Sequence, residues 1–116
     1  MTASTADLAH AFHAAMLSGD EHALRSILAP DVTFTGPLAQ ATGIDACVAG
    51  MAEMARITGS DEVAVQLSDD ANALLWSTLR PKGAPAVETA TWLRIEAGRI
   101  SAIRTLFDTA GISGRH

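Results

Sequence analysis

The chain has a single cysteine, no tyrosine, and only three phenylalanines and two tryptophans among its 116 residues. Cys47 has no partner within the chain, which excludes an intrachain disulfide and makes a reducing, cytoplasmic setting the expectation. Basic residues are sparse as well: eight Lys and Arg stand against thirteen Asp and Glu, a formal charge of −5. They are scattered, with no run that could track phosphates, which argues against a nucleic-acid partner. Long hydrophobic runs are missing, because His, Asp and Gly interrupt the helical stretches, so no membrane partner is expected. The N-terminus has neither the basic region nor the unbroken apolar region of a signal peptide. What remains is 48% hydrophobic and 18% charged, the balance of a folded domain. A chain of this length forms one domain, residues 1–116, with a core that needs no disulfide or metal staple.

The first half reads as helices. Ser4 can cap a first helix with Asp7 three residues on; Leu8, Phe12, Ala15 and Met16 recur at helical spacing, and Gly19 ends the run. Asp20 caps a short second helix with Leu24, Ile27 and Leu28 on its apolar face, and Pro30 prevents its continuation. Val32–Thr35 alternates like a strand until Gly36-Pro37 breaks it. Thr42 with Asp45 marks a third helix carrying Ile44, Cys47, Val48, Met51 and Ala55 on one face and ending near Gly59. The period then changes to two. Val63, Val65 and Leu67 alternate with polar residues, Ser68-Asp69-Asp70 turns the chain, and residues 73–80 form a further strand. Residues 86–108 read as two long strands joined by a tight Ala97-Gly98 turn. Helices first and an antiparallel meander after predict an α+β arrangement.

The helix–Ser18-Gly19-Asp20–helix opening, Ala29-Pro30-Asp31-Val32-Thr33-Phe34, and the final hairpin ending on Phe107-Asp108 together resemble the SnoaL-like branch of the nuclear transport factor 2-like families. The resemblance covers roughly residues 5–110. It implies a cystatin-like, cone-shaped α+β roll: three N-terminal helices on a strongly curved mixed, mostly antiparallel sheet. It further implies a cavity between the third helix and the sheet. The implied lining is Phe12, Met51, Trp76, Thr91, Ile103, Thr105 and Phe107, mostly aliphatic and adaptable. On that register Thr78 and Arg80 also point inward.

Ketosteroid isomerases of this scaffold need a carboxylate base, a Tyr and a protonated Asp. The matching positions here hold Gly36, Phe12 and Thr91, so that chemistry is excluded. The Asp–Arg–Asp set of limonene epoxide hydrolases maps onto Arg104-Thr105-Leu106-Phe107-Asp108, where Thr105 replaces one acid. Arg94 and Glu96 could supply an Arg and a carboxylate on the preceding strand. SnoaL-like polyketide cyclases carry a late-strand Asp as acid/base, and Asp108 matches that position in outline. Strict alternation opposes this role: with Ile103, Thr105 and Phe107 facing the core, Asp108 faces away unless a bulge redirects it.

His10 and His13 share a helix face, but no third ligand completes a metal set, and no motif calls for a cofactor. His13 is placed beside the Phe12 stripe, at the pocket rim or against the second helix; His22 and His116 read as surface or tail. Cys47 faces the core without an activating group. Trp92, with Ala90 and Leu106, falls on the outer face of the sheet, where an apolar centre rimmed by Arg94, Glu96 and Arg104 predicts a homodimer. Two functions follow as expectations. One is an isomerase, cyclase or hydratase acting on a small apolar cyclic molecule with Asp108 as acid/base; the other is a non-catalytic binding or dimerisation module that lacks its relatives' acids.

Overall fold

The computed structural model describes residues 4–109 as three helices and one six-stranded sheet. The helices are α1 (Thr5–Ser18), α2 (Glu21–Ile27) and α3 (Ile44–Ile57). The strands are β1 (Leu28–Thr35), β2 (Gln40–Thr42), β3 (Thr58–Ser68), β4 (Asn72–Pro81), β5 (Val87–Glu96) and β6 (Arg99–Phe107), in the spatial order β2-β1-β6-β5-β4-β3. Every neighbouring pair is antiparallel except β1 with β6, which run parallel. This is the mixed α+β arrangement expected from the sequence.

Local chemistry explains the boundaries. Ser4 accepts from the Asp7 amide at 3.1 Å and the Asp7 carboxylate accepts from the Ser4 amide at 3.4 Å, a reciprocal cap. Gly19, at φ 68°, closes α1 in the left-handed conformation. Asp20 caps α2 at 3.0 Å through the Ala23 amide. The helix ends at Ile27 and the chain passes directly into β1; the β1–β6 pairing is interrupted between Leu28 and Thr33, the stretch that holds Pro30 and its missing N–H. The Ala97-Gly98 turn has φ of 53° and 75°, the doubly positive pattern of a tight hairpin whose twist matches its strands.

Two expectations are corrected here. The Thr42/Asp45 start signal does not cap α3. Thr42 ends the unforeseen strand β2, Gly43 takes the cap position without a side-chain bond, and Asp45 pairs with Arg25 at 2.7 Å. The alternation of Val63, Val65 and Leu67 is broken by a register shift between Val63 and Val65. Val63 pairs with Ser77 and packs against the core, whereas Val65 pairs with Trp76 and is exposed with Leu67.

The helices cover one face of the sheet. Ala73, Leu75, Ser77 and Leu79 of β4, Leu93 and Ile95 of β5, and Ile100 and Ile103 of β6 are buried beneath them. Leu28 and Val32 of β1, with Leu24, Cys47 and Val48 of the helices, complete the core. The opposite, outer face carries Leu74, Trp76, Trp92 and Leu106, all exposed.

Candidate functional site

A cavity of about 510 Å³ opens between α1, α3 and the β1–β2 connection. Its position follows from Gly36-Pro37, which ends β1 and sends the chain through a short loop. Gly36 N–H donates to the Ala39 carbonyl at 2.9 Å, and the chain returns as β2, antiparallel to β1. That loop, Gly36–Ala39, forms one rim. Phe12 and Met16 come from α1; Cys47, Gly50, Met51 and Met54 come from α3; Phe34 and Phe107 stand at the ends of β1 and β6. The wall is overwhelmingly apolar, with Gln40 and Thr42 as its polar side chains. Cys47 donates weakly to the Val32 carbonyl at 3.5 Å, and burial pushes its thiol above the ordinary value, so it behaves as a small hydrophobe and not a nucleophile.

Of the residues expected to line a cavity, Phe12, Met51 and Phe107 do so. Ile103 is buried in the core beneath it. Thr91 and Thr105 are cross-strand neighbours on the inner face, half-buried but outside the cavity wall. Trp76 is on the wrong side: it projects from the outer face at 48% exposure, and its indole N–H donates to Glu88 at 3.0 Å. Thr78 and Arg80 share that face, where Thr78 donates to Glu88 at 2.7 Å and Arg80 faces Glu62 at 3.7 Å. β4 turns Ala73, Leu75, Ser77 and Leu79 inward beneath the helices, so the alternate positions Trp76, Thr78 and Arg80 point outward. Trp92 lies on the outer face as expected, donates to Asn72 at 2.9 Å, and carries the Arg104 guanidinium 5.9 Å above its ring.

Asp108 follows the last residue of β6, is exposed, and is not part of the cavity wall. Gly36 and Phe12, at the positions where isomerases carry a base and a Tyr, both line the cavity and bring no functional group to it. His10 is exposed on α1, and His116 lies outside the described residues. Among the described residues no group of three or more His, Cys, Asp or Glu is placed to hold a metal ion, and no helix is long and apolar enough to cross a membrane.

Sequence reasoning missed one polar feature. His13 Nε2 lies 3.1 Å from Asp61 Oδ2, joining α1 to β3 across 48 residues of sequence. The Asp61 side chain is only 7% exposed. Its second oxygen, Oδ1, and the Thr89 hydroxyl are both buried without a hydrogen-bond partner among the described residues. Each such orphan costs about 1–3 kcal/mol. A lone Asp after Gly59-Ser60 carries no local signal for this role; only the pairing of Asp61 with Leu79 reveals that it faces inward.

Comparison with solved structures gives the class first. A protein from Kribbella flavida DSM 17836 superposes with a TM-score of 0.86 at 27% identity, covering 93% of this chain and 89% of that one. An NTF2-like protein from Cytophaga hutchinsonii gives 0.79 at 20% identity, covering 94% of each chain. A steroid delta-isomerase from Pseudomonas aeruginosa gives 0.80 at 19% identity, covering 93% of this chain and 82% of that one. These likenesses define the molecule as an NTF2-like, cystatin-like α+β fold. The sequence profile of the SnoaL-like domain matches residues 9–103, and the chain belongs to that family. A search among curated proteins returned no match.

Proposed function

We propose that this protein binds a small, largely apolar molecule in the cavity between α1, α3 and the Gly36–Ala39 loop. The observation that carries this is a space of about 510 Å³ walled by Phe, Met, Ala and Leu side chains in a domain of this size, the usual character of a small-molecule site. Among the described residues the lining holds no carboxylate or imidazole, which favours binding over the acid/base chemistry of enzymatic relatives. Naphthalene is a suitable neutral probe, followed by amide NMR shifts at Gly36, Gly50 and Met51. Gly50 lies mid-helix with open space where a Cβ would stand, so Gly50→Phe keeps the helix and fills the site. The expected result is binding by the native protein and at least a tenfold loss in that variant. No shift at those residues would overturn the reading.

The catalytic alternative gives Asp108 the acid/base role in an isomerase, cyclase or hydratase reaction. Its support is that Phe107, one residue earlier, lines the cavity, and that β6 ends there, releasing Asp108 from strict alternation. Acid/base work requires the carboxyl to reach the ligand. The Asp108 carboxyl carbon signal must therefore move when the probe binds; an unmoved signal removes the role.

The outer face supports a homodimer. Leu74, Trp76, Trp92 and Leu106 form an apolar expanse with Arg104 and Glu88 beside them, of a kind that monomers rarely leave in water. Sedimentation should give a dimeric mass for the native chain and a monomeric one for Trp92→Asp. An unchanged mass removes Trp92 from any interface. The lone Cys47 is in keeping with a cytoplasmic setting.

A further inference from the structure

The wall of the cavity and the core beside it are built from different side chains. All three phenylalanines of the chain, Phe12, Phe34 and Phe107, line the cavity, and so do Met16, Met51 and Met54, every methionine among the described residues. The core is mainly branched aliphatic, with Leu24, Leu93, Ile100 and Ile103 fully buried. Of the described Leu, Ile and Val residues, Leu38 alone belongs to the cavity wall. A gap left by imperfect packing would carry the composition of the core around it. Here the chain's phenyl rings and thioethers converge on the open space instead. They are graded in depth: Phe12 and Met51 are buried, Phe34, Phe107, Met16 and Met54 are half-buried, and Leu38, Gln40 and Thr42 are exposed at the mouth. The Phe34 ring rests against the rim loop, because a Cβ at Gly36 would stand 3.2 Å from its Cε2 and Cζ atoms. Among the described residues no charged side chain lines the space.

From this we infer that the cavity takes a neutral, planar aromatic molecule in preference to a saturated ring of equal size. An aromatic ring has a negative face and a positive edge, so it gains from phenyl neighbours beyond the area it buries. Thioether sulfur adds a favourable contact at the ring edge, and unbranched Met chains adjust to its outline. A saturated ring has no such charge pattern and gains from area burial alone. A carboxylate or ammonium would give up its hydration with no opposite charge to meet it, which sets the neutral requirement. The inference rests on the cavity being a ligand site, and probes that differ only in the ring separate the two claims.

Three probes of one carbon skeleton serve: 2-naphthalenemethanol, its decahydro counterpart and 2-naphthoate, titrated by amide NMR into the native chain, Phe34→Leu and Met54→Leu. The saturated alcohol is at least as apolar as the aromatic one, so burial alone predicts no preference for the aromatic. The native chain should bind 2-naphthalenemethanol at least fivefold more tightly than the decahydro alcohol and at least tenfold more tightly than 2-naphthoate. Each variant stays apolar at the wall and should cut the aromatic preference at least twofold, while affinity for the decahydro alcohol stays within threefold and reports an intact cavity. Should Phe34→Leu fail to fold, the native comparison and Met54→Leu decide. If the native chain binds both alcohols equally, or both variants keep the full preference, the aromatic class is overturned and the cavity stands as a ligand site. Equal binding of 2-naphthoate overturns the neutral requirement. If no probe binds, naphthalene included, both claims fall.

Discussion

Leu93 and Leu106 sit on strands hydrogen-bonded to each other, yet Leu93 is fully buried and Leu106 is 70% exposed. The same contrast runs along β4, where Leu75 is buried beneath the helices and Leu74 and Trp76 stand in the open. The inner face is covered by the helices, with a cavity between α1, α3 and the β1–β2 connection. The outer face is apolar without being covered. An ordinary half-buried sheet alternates apolar inward and polar outward. This sheet departs from that rule at Leu74, Trp76, Trp92 and Leu106, the residues on which the proposed homodimer rests.

The sharpest way to break this contrast is truncation on each side. Leu93→Ala should cost about 2–5 kcal/mol in chemical denaturation, because it opens a hole in a packed layer. Leu106→Ala, measured at concentrations too low for assembly, should change stability by less than about 0.5 kcal/mol. Equal costs would mean that the outer face is packed within the monomer. A smaller effect concerns acid. Thr78 and Trp76 donate to Glu88 and hold its carboxyl below the ordinary range, with Arg80 adding a weaker pull. A lowered folded-state value contributes stability that is present above the unfolded value and lost as pH falls through the folded one. Glu88→Gln should therefore lower stability slightly at neutral pH and converge with the native chain at acid pH, which makes the acid limb shallower; curves that run parallel at all pH would show that these bonds do not persist in solution. The smallest effect lies in the β5–β6 hairpin that serves both faces. Ala97 occupies a left-handed conformation that suits Asn or Gly, so Ala97→Asn should stabilise the fold by up to about 1 kcal/mol, read as a small rise in melting temperature. A loss would mean that the turn relaxes to another type.

The sequence made the elements legible wherever a local rule decides them. Ser4, Gly19 and Asp20 act through hydrogen bonds or dihedrals that belong to their own turn of chain, and the Ala97-Gly98 hairpin is readable for the same reason. Parity in β4 was not legible, because both of its faces carry large apolar residues and periodicity alone cannot choose between them. The choice is made by the face that the helices cover, which is the one carrying Ala73, Leu75, Ser77 and Leu79. The resemblance placed Trp76 in the cavity for want of that information. The site was legible in part. Phe12, Met51 and Phe107 are cavity positions that the resemblance implies, whereas the Gly36–Ala39 rim, and apart from the cavity the His13–Asp61 pair, depend on long-range closure.

The one parallel pairing, β1 with β6, has a bearing on how the molecule comes into being. Among the described residues it joins the first strand to the last, with Thr33 beside Ala102. During synthesis β1 leaves the ribosome with β2 as its only sheet neighbour and waits for nearly the whole chain before its second edge is met. Until then Phe34 and the wall built around it have no floor. Pairings of such sequence separation close late and slow the search for the native state. Until β6 arrives, the α1–α3 segment therefore carries apolar surface that the last strand has yet to cover. A truncation before β6 would produce no smaller version of the cavity; it would produce a chain without one.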